Sequence, residues 1–329
     1  MVDRAYHASR HATAPRLPPS PMNVLVTGGA GFLGSHLVER LLARGDRVAV
    51  IDNFATARSD SLPAGAAGLE VHDASIAERD AVDAAFLAAT PDLVVHCAAS
   101  YKDPDGWEED IRTNTLGTAN VVKAAQAADL ERLIYFQTAL CYGNRPLEQP
   151  VTLAHPLRPE SSYAVSKTAG EQYIELSGLD FVSFRLANMY GPRNLSGPIP
   201  TFWQRLSAGK ACFAVDTRRD FVFVDDLVAV VLQAVDGRGH GHYHVSSGRD
   251  FSIRELYDAV AGAMGVDGPV EERPRGEDDA PSILLDPSRT HADFDWRVTT
   301  APEDGIRRTI AWYEAHGVEE TYTHLRMKE

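Results

Sequence analysis

The chain has 329 residues, of which 44% are hydrophobic and 24% charged, and its formal net charge is −14. This length exceeds what one hydrophobic core usually supports, so we expect a main domain and a smaller second one. The 46 acidic residues outnumber the 32 lysines and arginines, which argues against a nucleic-acid partner because phosphate binding over a wide surface needs a basic face. A few local arginines still suffice to hold one small phosphorylated ligand.

No stretch of the sequence approaches the roughly 20 apolar residues of a membrane span, so we expect no membrane partner. Residues 1–21 contain prolines, histidines and arginines but lack the apolar segment of a secretory signal. We interpret them as a disordered arm and expect a cytoplasmic protein. The three cysteines, Cys97, Cys141 and Cys212, share no short spacing and are interpreted as small core residues.

From Met22 onward, apolar segments typical of strands alternate with segments of helical spacing. The predicted strands cover 23–28, 47–52, 69–74, 93–99, 133–136 and 181–186. The predicted helices cover 32–45, 78–89, 108–128 and 161–177. This alternation predicts an α/β protein in which residues 22–190 form a Rossmann-type, doubly wound parallel sheet with helices on both sides.

After Gly191 the sequence becomes rich in proline and glycine and its segments become short. Helices are predicted near 252–264 and 302–316, and a loop is predicted over 268–282. We therefore expect residues 191–329 to be mainly a smaller C-terminal substrate-binding domain, with some segments that return to the first domain.

The segment TGGAGFLG, residues 27–34, follows the first predicted strand and opens the first predicted helix. Its glycines are Gly28, Gly31 and Gly34, with Phe32 and Leu33 between the last two. Glycine permits a tight turn and a close approach of the backbone to a pyrophosphate, and a helix N-terminus favours anions. The pattern predicts a dinucleotide site.

Asp52 ends the second predicted strand, 18 residues after Gly34, where a carboxylate can accept both ribose hydroxyls of the adenosine. It would repel a 2′-phosphate, so NAD is favoured over NADP, although Arg58 lies nearby. Asn53 follows Asp52 directly. Asp73 and Ala74 follow the third strand, where a carboxylate can meet the adenine amino group, but an ordinary loop acid explains Asp73 nearly as well.

Tyr163 and Lys167 in the segment SYAVSK share one face of a predicted helix, because positions i and i+4 are neighbours there. An ammonium beside a phenol lowers the tyrosine pKa, which predicts Tyr163 as the base for an alcohol proton. Thr138 ends the preceding strand, and its hydroxyl is predicted to act on the same substrate oxygen. A threonine that merely caps the strand is an equally good interpretation of that residue alone.

Taken together, these motifs resemble the extended short-chain dehydrogenase/reductases, in their nucleotide-sugar epimerase/dehydratase branch. The resemblance runs from about Met22 to Tyr313 and includes, in the family's order, HCAA (96–99), NTLGT (114–118), RLANMYGPR (185–193) and RRDFVFVDDL (218–227). It implies a tightly held NAD, the catalytic set Thr138, Tyr163 and Lys167, and a nucleoside-diphosphate sugar such as a UDP-sugar. It also implies a homodimer in which the helices near 108–128 and 161–177 form a four-helix bundle.

The same resemblance implies further binding residues. The cofactor-binding residues that it implies are Gly28, Gly31, Phe32, Leu33, Gly34, Asp52, Asn53, Asp73, Ala74, Ala98, Asn114, Tyr163 and Lys167. The substrate-binding residues that it implies are Asn188, Arg219, Arg275 and Asp278, with Asp279 as an alternative to Asp278. The stretch 197–202 is expected to lie along the nucleobase.

Ala139 and Leu140 follow Thr138, where dehydratases of this branch carry an acidic pair and decarboxylases carry a glutamate. Neither side chain can give or take a proton, which favours a 4-epimerase. Cys141 is a weaker candidate base for epimerisation at C3 or C5, because strand alternation would direct Leu140 to the side of Thr138. A 4-ketoreductase and a non-catalytic nucleotide-binding protein remain alternatives.

His240, His242 and His244 alternate as on a strand and raise the question of a metal site. The sequence shows no carboxylate motif beside them, and we expect no metal.

Overall fold

The computed structural model describes residues 21–58, 60–130, 132–276 and 280–322. The strands, in chain order, are β1 (Asn23–Thr27), β2 (Arg47–Asp52), β3 (Leu69–Asp73), β4 (Leu93–His96), β5 (Arg132–Thr138), β6 (Asp180–Leu186), β7 (Asn188–Tyr190), β8 (Cys212–Val215), β9 (Arg218–Arg219), β10 (Phe221–Phe223), β11 (Gly241–Val245), β12 (Phe251–Ser252) and β13 (Val270–Arg273). The helices are α1 (Phe32–Arg44), α2 (Arg79–Ala89), α3 (Trp107–Asp110), α4 (Thr118–Ala127), α5 (Ser162–Ser177), α6 (Pro198–Ser207), α7 (Val224–Val235), α8 (Ile253–Met264), α9 (Ser288–Phe294) and α10 (Pro302–His316).

The main sheet has seven parallel strands in the order β11-β6-β5-β4-β1-β2-β3. Alternate residues of β1 enter two different cores, since Val24 and Val26 pack on one face and Leu25 on the other. The continuous apolar runs are thus buried on both faces, as parallel sheets covered by helices require. This is the Rossmann-type α/β fold that the sequence predicted.

The strand order reverses between β1 and β4, because the chain first builds the sheet outward on one side and then on the other. At such a switch point the loops at the carboxyl ends of neighbouring strands separate and leave a crevice, which is where ligands bind in open α/β sheets.

The predicted helix over 108–128 consists of three consecutive parts. Between α3 and α4 the chain forms a π-helical segment, Ile111–Gly117. This segment packs closely on α5, because a Cβ atom at Gly170 would come 2.7 Å from the carbonyl oxygen of Asn114. The predicted strand over 93–99 ends at His96, so that Cys97 and the residues after it enter a loop above the sheet.

The C-terminal part of the chain returns to the sheet, where β11 pairs with β6 and α7 packs on α1 and β5. The remaining C-terminal segments form a smaller lobe with three two-stranded pairings: β7 with β10, β9 with β12, and β8 with β13. The predicted division at residue 190 into a cofactor domain and a substrate domain stays a prediction. Among the described residues, no helix is long and apolar enough to cross a membrane.

Candidate active site

A cleft of about 1950 Å³ opens at the carboxyl ends of the sheet strands, beneath the smaller lobe. Residues from both halves of the sequence line it. Of the residues predicted to react or to bind cofactor or substrate, those that line the cleft are Gly28, Gly31, Phe32, Leu33, Gly34, Asp52, Asn53, Ala74, Ala98, Thr138, Tyr163, Lys167, Asn188 and Arg219.

The glycine turn after β1 has room for backbone only. Gly28 has a φ of +64°, and a Cβ atom there would come 2.6 Å from the backbone nitrogen of Ala98. A Cβ atom on Gly34 would overlap the carbonyl oxygen of Gly28. Helix α1 begins beside this turn, and Gly31 at its N-cap offers no side chain to satisfy the first N–H groups. These donors and the helix dipole fit a pyrophosphate.

Asp52 at the end of β2 accepts hydrogen bonds from the backbone N–H groups of Ala30, at 2.9 Å, and Phe54, at 2.8 Å. Burial nevertheless raises its pKa, and the charge of Asp73 adds to this effect. Asp73 ends the neighbouring strand but does not line the cleft, whereas Ala74 does. Arg58 is bound on both oxygens of Asp60 at 2.8 Å.

Thr138, Tyr163 and Lys167 converge on the cleft from the end of β5 and the first turns of α5. The Lys167 ammonium lies 4.0 Å above the ring of Tyr135, and burial lowers the Lys167 pKa to about 7, against the opposing effect of Cys97 and Glu171. Burial raises the pKa of Tyr163, and Tyr101 and Asp110 act in the same direction. The pKa of Tyr163 is therefore raised, whereas the sequence predicted that it would be lowered.

A buried ion pair that the sequence did not reveal fixes helix α5. Glu171 lies one turn beyond Lys167, is fully buried, and accepts from Arg185 at 2.8 Å and from Ser183 at 2.5 Å. Although burial opposes ionisation, Arg185 lowers the pKa of Glu171. Because Arg185 and Ser183 belong to β6, the pair joins α5 to the sheet directly below the Tyr163–Lys167 face.

Asn114 is fully buried and does not line the cleft, and its expected role in cofactor binding stays a prediction. Its side chain accepts from the backbone N–H of Ser100 at 2.9 Å and donates to the carbonyl oxygen of Ser100 and the hydroxyl of Ser166, each at 3.0 Å. Asn114 thus supports the loop after β4 from below. The motif was recognisable in the sequence, but the direction of the side chain was not.

The residues after Thr138 form a 3₁₀ turn, Ala139–Tyr142, and do not continue the strand. Ala139 and Leu140 line the cleft, while Cys141 is fully buried and burial raises its pKa. As expected, Leu140 rather than Cys141 lines the cleft. The reason is the 3₁₀ turn, however, and not the strand alternation from which this was predicted.

On the substrate side, Asn188 and Arg219 line the cleft and are held by backbone carbonyls. Asn188 donates to Asp220 at 3.1 Å, and Arg219 donates to Arg218 and Ala280 at 2.8 Å each. Arg275 does not line the cleft. Asp278 and Asp279 lie outside the described residues.

The sequence did not predict a cluster of two arginines and one phenylalanine that also lines the cleft. The guanidinium carbons of Arg205 and Arg273 lie 5.6 Å and 4.4 Å from the ring centre of Phe213, and all three residues line the cleft. No sequence signal joined them, because they meet only through the pairing of β8 with β13 and the contact with α6.

The sequence showed no carboxylate motif beside the three histidines, but in the structure two carboxylates lie near His242. The His242 Nε2 atom lies 2.8 Å from a Glu175 carboxylate oxygen and 3.8 Å from one of Glu171. Glu171 is already paired with Arg185, and His240 and His244 are bonded elsewhere, to Asp180 and to Tyr142.

Comparisons with known proteins define the family of this chain. A family model described as "NAD dependent epimerase/dehydratase family" matches residues 24–246. The chain is 32% identical to a UDP-glucose 4-epimerase of Mycolicibacterium smegmatis, over 89% of this chain and 98% of that protein. The chain belongs to the NAD dependent epimerase/dehydratase family.

Two solved structures from Bordetella bronchiseptica are also similar. The enzyme WbmH in complex with NAD⁺ is 53% identical, with a TM-score of 0.88, and the match covers 90% of this chain and 100% of WbmH. The enzyme WbmG in complex with NAD and UDP is 45% identical, with a TM-score of 0.87, over 94% of this chain and 100% of WbmG.

Proposed function

We propose that this protein is an NAD-dependent nucleotide-sugar 4-epimerase that inverts C4 of a UDP-sugar through a transient 4-keto sugar. The observation that carries the proposal is the composition of the cleft around Thr138, Tyr163 and Lys167. These three residues can exchange one alcohol proton, while Ala139 and Leu140 beside them offer no second acid or base for elimination. The named similarity to UDP-glucose 4-epimerases supports the same reaction.

The residues of the cofactor wall fit a dinucleotide. Gly28 and Gly34 permit the close backbone approach that a pyrophosphate needs. Asp52, at the end of β2, presents a carboxylate suited to the hydroxyls of the adenosine ribose. NAD, when bound, supplies a carbon that accepts a hydride and returns it. Arg58 is engaged by Asp60, so its presence does not favour a 2′-phosphate.

Tyr163 takes the proton of the C4 hydroxyl, and Thr138 hydrogen-bonds the same oxygen. The raised pKa of Tyr163 means that the phenolate needs positive charge nearby. Lys167 is the titratable cation on the same helix face, and with a pKa of about 7 it carries charge in part of the molecules near neutral pH. A phenolate formed beside it raises the fraction of Lys167 that is charged, because opposite charges stabilise each other.

On the opposite wall, Asn188 and Arg219 hold the diphosphate, and Phe213, with Arg205 and Arg273 near its ring, contacts the base. The substrate is anchored by its nucleotide, so the keto sugar can turn and present its other face. The stretch 197–202 forms the start of α6 on this wall.

We also propose that the protein is a homodimer. Large apolar side chains remain exposed on the α3–π-helical segment and on α5: Trp107 (62%), Ile111 (58%), Leu116 (47%), Val165 (52%) and Tyr173 (46%). Adjacent helices that expose such residues are typical of a self-association surface. Sedimentation of an Ile111→Glu, Val165→Glu variant is expected to show monomers, while Leu87→Glu on α2, a control for surface charge, leaves the dimer intact. A dimeric double variant would contradict the proposed surface. The expected cytoplasmic location stays a prediction.

The reaction is tested by incubating the purified protein with UDP-glucose, UDP-N-acetylglucosamine and UDP-glucuronate and resolving the C4 epimers by NMR. Inversion of at least one sugar, with no net change in free nicotinamide cofactor, is expected. Net oxidation or reduction of added cofactor would indicate the ketoreductase instead. If NAD is bound and none of the three sugars is inverted, the proposal fails for these substrates.

A further inference from the structure

Residues 317–322 follow α10, and Thr321 and Tyr322 of this segment line the cleft. We call residues 317–322 the C-terminal strap. It contacts or adjoins three loops that follow different elements of the fold, and none of its residues belongs to the motifs recognised in the sequence.

The first loop follows Asp52 at the end of β2. Arg58 from this loop donates to the carbonyl oxygen of His316 at 3.3 Å and lies 6.0 Å from the ring centre of Trp312. The end of α10, directly before the strap, is thereby attached to the loop that follows Asp52.

The second loop follows β4. The ammonium of Lys102 lies 3.6 Å from a Glu320 carboxylate oxygen and 4.7 Å from the ring centre of Tyr322. Lys102 lines the cleft, next to Tyr101, whose ring centre is 6.5 Å from that of Tyr163.

The third loop leads from β7 to α6. The backbone N–H of Tyr322 donates to Leu195 at 2.9 Å, and the N–H of Gly197 donates to the carbonyl oxygen of Tyr322 at 3.2 Å. This loop is itself fixed to α1, because the His36 ring donates to the carbonyl oxygen of Pro192 at 2.9 Å.

The three loops approach the N-terminus of α1, where the glycine turn fits a pyrophosphate, because Asp52 accepts from Ala30, Ala98 lies beside Gly28, and Arg193 donates to Ser35. We propose that the C-terminal strap retains the dinucleotide, and that Lys102 acts as a positioning residue through its contacts with Glu320 and Tyr322. The inference rests on the proposed function, because a hydride that must return to the same sugar cannot be lost with a departing cofactor. The side chains of Lys102 and Glu320 are 45% and 62% exposed, so the pair is weak and the strap can still open for loading.

The test compares a chain ending at Gly317 with a chain ending at Tyr322, each with Lys102 or with Lys102→Ala. Each protein is loaded with NADH, excess NAD⁺ is added without any sugar, and the loss of bound NADH fluorescence gives the dissociation rate. Thermal unfolding verifies that each protein is folded, and Lys210→Ala, an exposed residue away from the strap, is the matched control. If the shorter chain does not fold, Glu320→Ala with Tyr322→Ala in the full chain takes its place.

We expect NADH to leave the chain ending at Gly317 about tenfold faster than the chain ending at Tyr322. Lys102→Ala should accelerate release in the longer chain and have no effect in the shorter one, since coupled residues are not additive. Equal rates of NADH dissociation from the two chains would overturn the proposed role of the strap. An equal effect of Lys102→Ala in both chains would show that Lys102 acts without it. Failure of the full chain to bind any dinucleotide would reject the proposed function as well.

Discussion

The two walls of the cleft are built in different ways. The cofactor wall consists of residues that stand directly at the ends of parallel strands, such as the glycine turn after β1 and Asp52 at the end of β2. The substrate wall is assembled from short strand pairs and from α6, whose members are distant in sequence. A strand end fixes its side chains locally, whereas the substrate wall depends on the packing of the whole smaller lobe.

This difference has a chemical consequence. The chemistry requires one fixed arrangement of Tyr163, Thr138 and the cofactor, and a rigid sheet edge supplies it. The sugar must turn between two hydride transfers, and a wall that holds only the nucleotide permits that motion. We expect substitutions on the first wall to abolish the reaction and those on the second to weaken binding.

The largest effect is expected for Tyr163→Phe, which removes the phenolic oxygen that takes the proton. The rate of C4 inversion, kcat, should fall by about 10³-fold, within the usual range for loss of a general base. Bound NAD, measured by its absorbance after denaturation, should remain. The matched variant Tyr173→Phe, on the proposed dimer surface of the same helix, keeps its aromatic ring and should leave kcat unchanged. A Tyr163→Phe protein with parental kcat would show that another group takes the proton.

A pair of glycine substitutions tests the contrast between the walls. Gly34→Ala places a Cβ atom against the carbonyl oxygen of Gly28, so NAD affinity should fall by about 100-fold or the protein should unfold. Gly197 on the substrate wall has a φ of +86° and a ψ of −165°, a conformation that strains other residues, but free space around it, so Gly197→Ala should cost about 1–3 kcal/mol of stability and leave NAD affinity unchanged. NAD titration and chemical denaturation measure both. Similar losses from the two substitutions would contradict the proposed difference in rigidity.

The stability of the cofactor-free protein should depend on pH through Lys167. Its pKa is about 7 in the folded protein and about 10.5 when exposed, because burial disfavours the charged form. Between these values the unfolded chain binds the extra proton, so stability rises with pH over this window, by up to about 1.4 kcal/mol per pH unit.

Denaturant unfolding of the parent and of Lys167→Met at pH 7, 8 and 9 isolates this contribution. The free energy of unfolding of the parent should increase relative to that of Lys167→Met as pH rises. A difference that stays constant with pH would mean that Lys167 is not buried in the neutral form at high pH.

The smallest effect is expected on the substrate wall. Arg219→Ala should raise KM for the UDP-sugar by about tenfold with little change in kcat, because an anchor of the nucleotide binds ground state and transition state alike. The control, Arg254→Ala, removes an exposed pair with Asp258 and should change neither parameter. A fall in kcat alone would place Arg219 in the chemical step and weaken the contrast between the walls.

The sequence alone determined the fold class and predicted several residues that line the cleft. Gly28, Gly34, Asp52, Tyr163 and Lys167 were recognisable because a strand end or one turn of helix fixes the relation between their side chains. The replacement of acids by Ala139 and Leu140 was readable for the same reason. Such short-range geometry changes little with the surrounding structure.

Only the tertiary structure decided the rest. It buried Asn114 against Ser100 and Ser166, paired Glu171 with Arg185, brought Phe213 close to two arginines, and set the C-terminal strap against the loops after β4 and β7. Each of these contacts joins side chains from separate elements, and no local pattern records it. The physical reason is that burial and packing of the whole chain fix such contacts, whereas strand and helix periodicity fix only neighbours.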